Sequence, residues 1–267
     1  MAKTDVVKHD LPKALLAAAQ VRVDEDLEPV PFPRGPSRPR AEAVLVAPPV
    51  TSLVSDEERV TAPYRSVGKM GMIYTSGAKK YGTGWVVAKR AFITAGHCVH
   101  YSDFGGWIKE GKFVPRFNVT AGKIYEVETV YALKGWVDSA ERPYDMAVCV
   151  VTENFATTEP PLAFDTGIVP AFKFMAIGYP FRAIPGHDFN GKRMWKSAGG
   201  FDKVADKLWW AANNFTGGSS GGPWCEPDNN MIVSGITAAR DDSDPNTAAS
   251  PEFSNGFDNL YNAVKDL

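Results

Sequence analysis

A serine stands among small residues in the stretch Gly217-Gly218-Ser219-Ser220-Gly221-Gly222-Pro223. Small neighbours let the hydroxyl of Ser220 reach a carbonyl group without steric hindrance. Glycine also permits backbone conformations that point N–H groups inward, so the N–H groups of Gly218 and Ser220 are candidate donors to an oxyanion. The alternative interpretation is a flexible glycine–serine loop. Since serine is a poor nucleophile without a base, the chemistry requires a second residue.

His97 is the candidate base. It follows the β-type apolar run 92–95, and the turn after that run presents the imidazole. An unperturbed imidazole titrates at about pH 6.5, which suits proton exchange near neutrality. The other three histidines have no comparable context: His9, His100 and His187.

Asp145 is the candidate partner of the base. It precedes a continuous apolar run, 146–151, of the kind found in strands buried on both faces. A carboxylate at the start of such a strand is costly to desolvate unless it is paired, and a histidine partner would fix the imidazole tautomer. The alternative is an aspartate that faces water. Asp103 and Asp138 are rival candidates, but neither leads into a comparable strand.

Three blocks together resemble the signature blocks of chymotrypsin-fold serine endopeptidases, and they stand in that family's order: Thr94-Ala95-Gly96-His97-Cys98, Tyr144-Asp145-Met146-Ala147-Val148 and Gly218-Ser219-Ser220-Gly221-Gly222-Pro223. Other blocks are similar to the bacterial glutamyl-endopeptidase, or V8-like, branch: Ala62-Pro63-Tyr64-Arg65-Ser66-Val67, Gly82-Thr83-Gly84-Trp85-Val86-Val87 and Ile177-Gly178-Tyr179-Pro180. The resemblance covers roughly residues 53–267.

The resemblance implies a serine endopeptidase that hydrolyses peptide bonds through an acyl-enzyme, with no cofactor and no metal. Ser220 would be the nucleophile, His97 the base and Asp145 the residue that orients it, while the N–H groups of Gly218 and Ser220 would form the oxyanion hole. The alternative is a catalytically silent or autoinhibited binding or regulatory protein on the same fold.

The substrate side-chain pocket implied by the resemblance involves Asn214, Phe215, Thr237 and Arg240. Trypsin-like enzymes have an aspartate where this chain has Asn214, and glutamate-specific relatives have a histidine where it has Thr237. Arg240 could supply a positive charge, and Phe215 could narrow the pocket toward small or apolar side chains. These alternatives leave the specificity open.

The strand pattern predicts a mostly β protein, because many short β-rich runs are separated by turn residues. Apolar residues at helical spacing predict a C-terminal helix: Phe257, Leu260, Tyr261 and Val264. The resemblance adds two antiparallel six-stranded β-barrels, within a protease domain at 51–267 whose internal boundary lies near 155–165.

Residues 1–50 are expected to form an N-terminal extension that contributes no core. Asp10 is a candidate cap for a short helix reaching about Val21, and the proline-dense stretch 28–39 is typical of an extended linker. The V8-like branch carries a propeptide here, so a zymogen is one interpretation and an uncleaved regulatory tail is the other. Within the extension, 41–50 is the expected blocking strand at the substrate cleft.

Composition limits the partners. The chain has 267 residues and a net charge of −2, which gives no electrostatic reason to expect a nucleic acid or an anionic membrane. No stretch resembles a signal peptide or a membrane span. The resemblance implies a polypeptide substrate. The sequence favours a monomer and leads us to expect a soluble protein, either cytoplasmic or non-classically secreted.

Three cysteines cannot all pair within one chain: Cys98, Cys149 and Cys225. In the family that the chain resembles, the usual disulfide partner of Cys98 would fall at Gly82. Since that partner is absent, we expect three free thiols.

Overall fold

The computed structural model describes residues 2–12, 21–24, 27–33, 47–119, 122–167, 173–229, 231–241 and 243–267. Its strands are β1 (Val6–Asp10), β2 (Glu28–Pro29), β3 (Val50–Leu53), β4 (Val67–Tyr74), β5 (Lys79–Ala88), β6 (Ala91–Thr94), β7 (His100–Tyr101), β8 (Gly106–Pro115), β9 (Tyr125–Leu133), β10 (Ala147–Val151), β11 (Lys173–Gly178), β12 (Trp195–Ala205), β13 (Leu208–Ala212), β14 (Pro223–Glu226), β15 (Ile232–Ile236), β16 (Ala239–Arg240) and β17 (Thr247–Pro251). Its α-helices are α1 (Asp56–Arg59), α2 (Gly96–Val99), α3 (Lys134–Ser139) and α4 (Phe257–Asn262). None of the helices in these residues is long and apolar enough to cross a membrane.

The first sheet closes into a six-stranded antiparallel barrel. Its strand order is β1-β9-β10-β6-β5-β4-β8-β7, and a further pairing of β8 with β9 completes the ring. The closing pairs are Lys112 with Glu126 and Phe113 with Tyr125. Strands β4 and β6 are buried along their whole length, as expected for apolar runs that line a barrel.

The second sheet is open, whereas we expected a second closed barrel. Its order is β15-β14-β11-β12-β13-β17-β16, and β3 is paired with β12. The end strands β15 and β16 are consecutive in the chain, but the backbone between them bonds elsewhere. The Thr237 N–H donates to the Gly222 carbonyl at 2.9 Å, and the Thr237 carbonyl accepts from the Gly221 N–H at 2.7 Å. These groups hold the serine loop and do not close the sheet.

The N-terminal residues join the folded core, so the expectation that they contribute none is wrong. Strand β1 extends the first sheet by pairing with β9, from Val6 opposite Leu133 to Asp10 opposite Thr129. Asp10 is the last residue of this strand, and residues 13–20 of the predicted helix lie outside the described residues. The free edge of β9 supplies the hydrogen-bond partners that make this strand stable.

Five apolar residues of the N-terminal region are buried against the first barrel: Leu11, Val21, Val23, Leu27 and Val30. The Val21 N–H also donates to the buried carboxylate of Glu110 at 2.7 Å. Burying a side chain of this size stabilises a fold by roughly 1.5–3 kcal/mol. The proline-dense composition gave no indication that N-terminal residues would be buried against the first barrel.

The predicted C-terminal helix is present but ends before the last residue of the apolar pattern that predicted it. Helix α4 ends at Asn262, although Val264 is also buried. The ring of Phe257 stacks on that of Trp85 in β5, with centroids 6.1 Å apart. The helix thus covers one side of the first barrel.

Candidate active site

Strand register brings His97 next to Asp145. Strands β6 and β10 are antiparallel, and Ala147 at the start of β10 lies opposite Thr94 at the end of β6. His97 follows β6 in the one-turn helix α2, and Asp145 immediately precedes β10. The two side chains therefore meet at one end of the barrel.

Asp145 holds His97 with both carboxylate oxygens. Its Oδ2 accepts from Nδ1 of the imidazole at 2.7 Å, and its Oδ1 accepts from the His97 backbone N–H at 2.7 Å. The two residues are 1% and 0% exposed respectively. In this arrangement Nδ1 carries the proton, so Nε2 is left as the basic nitrogen.

Ser220 lies beside α2, in the loop that leads into β14. Its carbonyl accepts from the Thr83 N–H of β5 at 2.8 Å. The thiol of Cys98, the residue after His97, lies 3.8 Å from the same carbonyl. Backbone contacts to the first barrel thus fix the serine near the histidine.

Nε2 of His97 and Oγ of Ser220 have no hydrogen-bond partner among the described residues, although both atoms are buried. An unpaired buried polar group costs about 1–3 kcal/mol, so such groups call for an explanation. A site that binds and transforms a substrate provides one. By contrast, the Ser219 hydroxyl donates to the Thr216 carbonyl at 2.8 Å, which leaves Ser220 as the available hydroxyl.

The loop before Ser220 requires glycine at one position. Gly218 has φ +96°, which side chains rarely adopt, and a β-carbon there would lie 2.4 Å from the Tyr81 hydroxyl. No hydrogen bond found among the described residues uses the N–H of Gly218 or Ser220. Both N–H groups remain candidate oxyanion donors.

An N-terminal segment, Leu27–Pro33, covers this site; we call it the covering segment. Its Phe32 ring lies 6.4 Å from the His97 imidazole, centroid to centroid, in an edge orientation. A β-carbon on Gly217 of the serine loop would lie 3.3 Å from Pro29. With the covering segment in this position, both His97 and Ser220 are fully buried.

Hydrogen bonds attach the covering segment at its middle residue, Val30, and at its last residue, Pro33. The Val30 N–H donates to the Tyr81 carbonyl of β5 at 3.0 Å. The Arg142 guanidinium donates to the Pro33 carbonyl at 2.7 Å. The expected blocking residues were 41–50; of these, 41–46 lie outside the described residues, and Val50 begins β3 on the second sheet. The segment found against His97 is an earlier one, residues 27–33.

Three of the predicted pocket residues are buried: Asn214, Phe215 and Thr237. Asn214 is buried and accepts from the Thr51 hydroxyl at 2.7 Å, and Thr237 is buried and accepts from Nε1 of Trp224 at 2.9 Å. Phe215 is buried in an aromatic cluster, with its ring centroid 6.0 Å from that of Phe189. Their role in specificity stays a prediction.

Arg240 lines a cavity of about 810 Å³ beside the serine loop. The described lining comprises Glu28, Pro29, Pro31, Phe32, Lys80, Phe181, Arg182, Thr216, Gly217 and Arg240. Sequence reasoning missed Lys80, Arg182 and the covering segment. The proline at every second position from 29 to 33 was the available signal, since it favours an extended chain like that of a bound peptide.

The three cysteines are free and buried, as predicted. Burial raises the pKa of Cys98 to about 12 and raises the pKa of Cys149 and Cys225 as well. At neutral pH these thiols are therefore protonated and unreactive. A β-carbon on Gly82, the position implied for a partner, would lie 2.7 Å from the Cys98 sulfur.

No family model matches the chain. The extracellular metalloprotease of Bacillus subtilis (strain 168) is 31% identical over 104 residues, which are 36% of this chain and 33% of that protein. The chain therefore matches only about a third of that relative's length. Among the described residues, no three or more His, Cys, Asp or Glu side chains are grouped to hold a metal ion.

Solved structures match far more of the chain. The protease Anisep from Arthrobacter nicotinovorans is 22% identical, with TM-score 0.69 over 82% of this chain and all of that one. A Glu endopeptidase is 19% identical, with TM-score 0.67 over 84% and 100% of the two chains. The thermostable serine protease AL20 from an extremophilic microorganism is 22% identical, with TM-score 0.65 over 76% and 97%. This chain has the fold of the chymotrypsin-type serine proteases.

Proposed function

We propose that this chain is a serine endopeptidase of the V8-like branch. The observation that carries the proposal is the bonding at His97: Asp145 engages Nδ1, while Nε2 and the neighbouring Ser220 hydroxyl are buried without partners. A bonded Nδ1 and an unbonded Nε2 are what a histidine needs to act as the base that accepts the serine proton. The fold of the neighbouring solved proteases supports the same conclusion.

In the proposed reaction, Ser220 Oγ attacks the scissile carbonyl while its proton passes to His97 Nε2. The N–H groups of Gly218 and Ser220 stabilise the oxyanion, each donor contributing about 2.7–4 kcal/mol. The imidazolium, stabilised by Asp145, then protonates the leaving amine as the C–N bond breaks. Water, deprotonated by the same nitrogen, releases the acyl group and regenerates the serine.

The chain is proposed to be latent in the form described, in the manner of a zymogen. The absence of solvent exposure at His97 and Ser220 supports this, as does Phe32 lying against the imidazole. A substrate must displace the covering segment before it reaches Ser220. Latency also accommodates the alternative of an autoinhibited regulatory protein, which the following experiment separates from an enzyme.

The test is covalent labelling of the full-length chain with a small fluorophosphonate, followed by mass spectrometry of the labelled peptide. We expect slow labelling at Ser220, and labelling at least tenfold faster in Phe32→Ala because the site opens. Ser220→Ala should abolish labelling, whereas Ser219→Ala should retain it, since the Ser219 hydroxyl is bonded to Thr216.

Val204→Ala serves as the matched control for Phe32→Ala, because Val204 is an exposed apolar residue in β12. It should leave the labelling rate unchanged. Failure of every form to label would contradict the enzyme and favour a binding protein. Equal labelling of wild type and Phe32→Ala would leave the enzyme intact but refute latency through the covering segment.

A further inference from the structure

Lys80 is a largely buried cation on the wall of the catalytic cleft. Its side chain is 13% exposed, and its Nζ lies 5.2 Å from the centroid of the Phe104 ring. The ammonium pairs with Oε2 of Glu28 at 2.5 Å. An ammonium with so little access to water is stabilised by a carboxylate and is costly to leave unpaired.

The carboxylate that pairs with Lys80 belongs to an extended segment of the same chain. Glu28 and Pro29 form β2, which pairs with Lys80 and Tyr81 of β5. The Glu28 side chain is 75% exposed, and its pKa is lowered because it bonds to Lys80. Glu28 is the only carboxylate bonded to Lys80 in the described part of the chain, so removal of the covering segment leaves this cation without an acid.

Two further cations line the same cavity. Arg182 and Arg240 face it together with Lys80, and Glu28 is the one acid among its described lining residues. With the covering segment gone, Lys80 and Arg182 remain in the described lining without the Glu28 carboxylate, and Arg240 remains with its hydrogen bond to the Pro245 carbonyl. Such a cavity attracts anionic groups and disfavours cationic ones.

We propose that Lys80, supported by Arg182 and Arg240, forms a subsite that selects an acidic side chain of the peptide substrate, and that Glu28 occupies it in the latent form. The inference rests on the proposed endopeptidase function and deepens it by naming a substrate class. Lys80 lies in β5 of the first barrel and Arg240 in β16 of the second sheet, whereas Asn214, Phe215 and Thr237 are not among the described lining residues of the cavity. Acid selection by this subsite therefore does not require those three side chains.

The test measures binding without catalysis. The protein is the full-length Ser220→Ala chain carrying Glu28→Gln, so that its own segment no longer supplies the acid. The probes are a fluorescent peptide with the sequence of residues 28–33, Glu-Pro-Val-Pro-Phe-Pro, and its glutamine counterpart. Fluorescence anisotropy gives the two dissociation constants.

We expect the glutamate peptide to bind roughly tenfold more tightly than the glutamine peptide, a difference of about 1.4 kcal/mol. Lys80→Gln should reduce this ratio to near one, and Lys80→Arg should retain most of it. The matched control is Lys79→Gln, an exposed lysine on the same strand, which should keep the full ratio. If Lys80→Gln fails to fold, the Arg variant and a charge-reversed Lys80→Glu still report on the subsite.

Equal affinity of the two peptides for the chain with intact Lys80 would overturn the proposal. So would an equal loss of the ratio in Lys79→Gln and Lys80→Gln. Fluorophosphonate labelling of the chain with intact Ser220 tests the serine chemistry separately. A labelled enzyme without acid preference refutes only the subsite, whereas an unlabelled protein with acid preference refutes the endopeptidase.

Discussion

The two halves of the candidate site differ in how completely their polar atoms are bonded. In the acid–base half, both oxygens of Asp145 and the Nδ1 of His97 are engaged. In the nucleophile half, the Ser220 hydroxyl has no partner, and neither of the candidate oxyanion N–H groups is used by a hydrogen bond among the described residues. In the first half only Nε2 of His97 lacks a partner among the described residues, whereas in the second half the hydroxyl and both N–H groups lack one.

This difference indicates which half of the site lowers the stability of the fold. Fixing the imidazole through Asp145 requires only contacts within one barrel, and those contacts form with the fold. Holding an unbonded hydroxyl in a buried loop costs about 1–3 kcal/mol, which the backbone bonds of the loop to Thr83 and Thr237 offset. The free groups of the second half are then available to stabilise a transition state.

A substitution in the acid–base half should have the largest effect on the reaction rate. Asp145→Asn should lower the labelling and peptidase rates by about 10⁴-fold, because the amide no longer fixes the reactive tautomer of His97. Asp138→Asn is the control, since that exposed carboxylate pairs with Lys134. A change of less than tenfold in Asp145→Asn, measured as the labelling rate of folded protein, would show that His97 does not act as the base.

A smaller effect should follow from adding a side chain to the loop before Ser220, and it should appear in the free energy of unfolding. Gly218→Ala places a β-carbon 2.4 Å from the Tyr81 hydroxyl and 2.5 Å from the Tyr179 carbonyl, at a positive φ. We expect a loss of several kcal/mol in the free energy of unfolding, measured in urea. Gly77→Ala is matched to it, because its φ is +91° but nothing lies within 4 Å, so only about 1 kcal/mol of backbone strain is expected. Equal losses would mean that contacts around Gly218 do not constrain the loop.

Sequence reasoning succeeded where local patterns carry the answer. The turn at His97 and the apolar strand after Asp145 identified two residues that the fold joins by a hydrogen bond, while the catalytic roles of these residues and of Ser220 stay predictions. The three free thiols were expected because the resemblance places the partner of Cys98 at Gly82, and the closed first barrel was also expected from the resemblance. Each of these features is decided by residue type within a few positions, or by a repeated strand pattern.

Other features depend on long-range contacts that no local pattern encodes. The burial of Val21 and Val30 needs the surface of the first barrel, and strand β1 needs the free edge of β9. Proline density suggested a linker because it records only the extended conformation, not what the chain lies against. The open second sheet likewise follows from Thr237 bonding to the serine loop, a contact between distant parts of the sequence.

The smallest predicted change concerns the junction between the two halves, where the Cys98 sulfur lies near the Ser220 carbonyl. A β-carbon on Gly82 would lie 3.8 Å from the Cys98 β-carbon, the usual separation across a disulfide. Gly82→Cys should therefore form a bridge to Cys98 under oxidising conditions. Closing a loop of about 15 residues stabilises by about 3 kcal/mol in the chain-entropy account.

The measurement is thermal melting with and without reductant, together with a thiol count in denaturant. For a protein of this size we expect reductant to lower the Tm of Gly82→Cys by roughly 6–12 °C, and two free thiols to remain in the oxidised protein. The wild type should show three thiols and no change in Tm. In the control, Gly82→Cys with Cys98→Ser, no bridge can form with Cys98, so reductant should have no effect. A count of four free thiols in oxidised Gly82→Cys would mean that β5 and α2 are not held as closely as described, and the contact joining the halves of the site would have to be reconsidered.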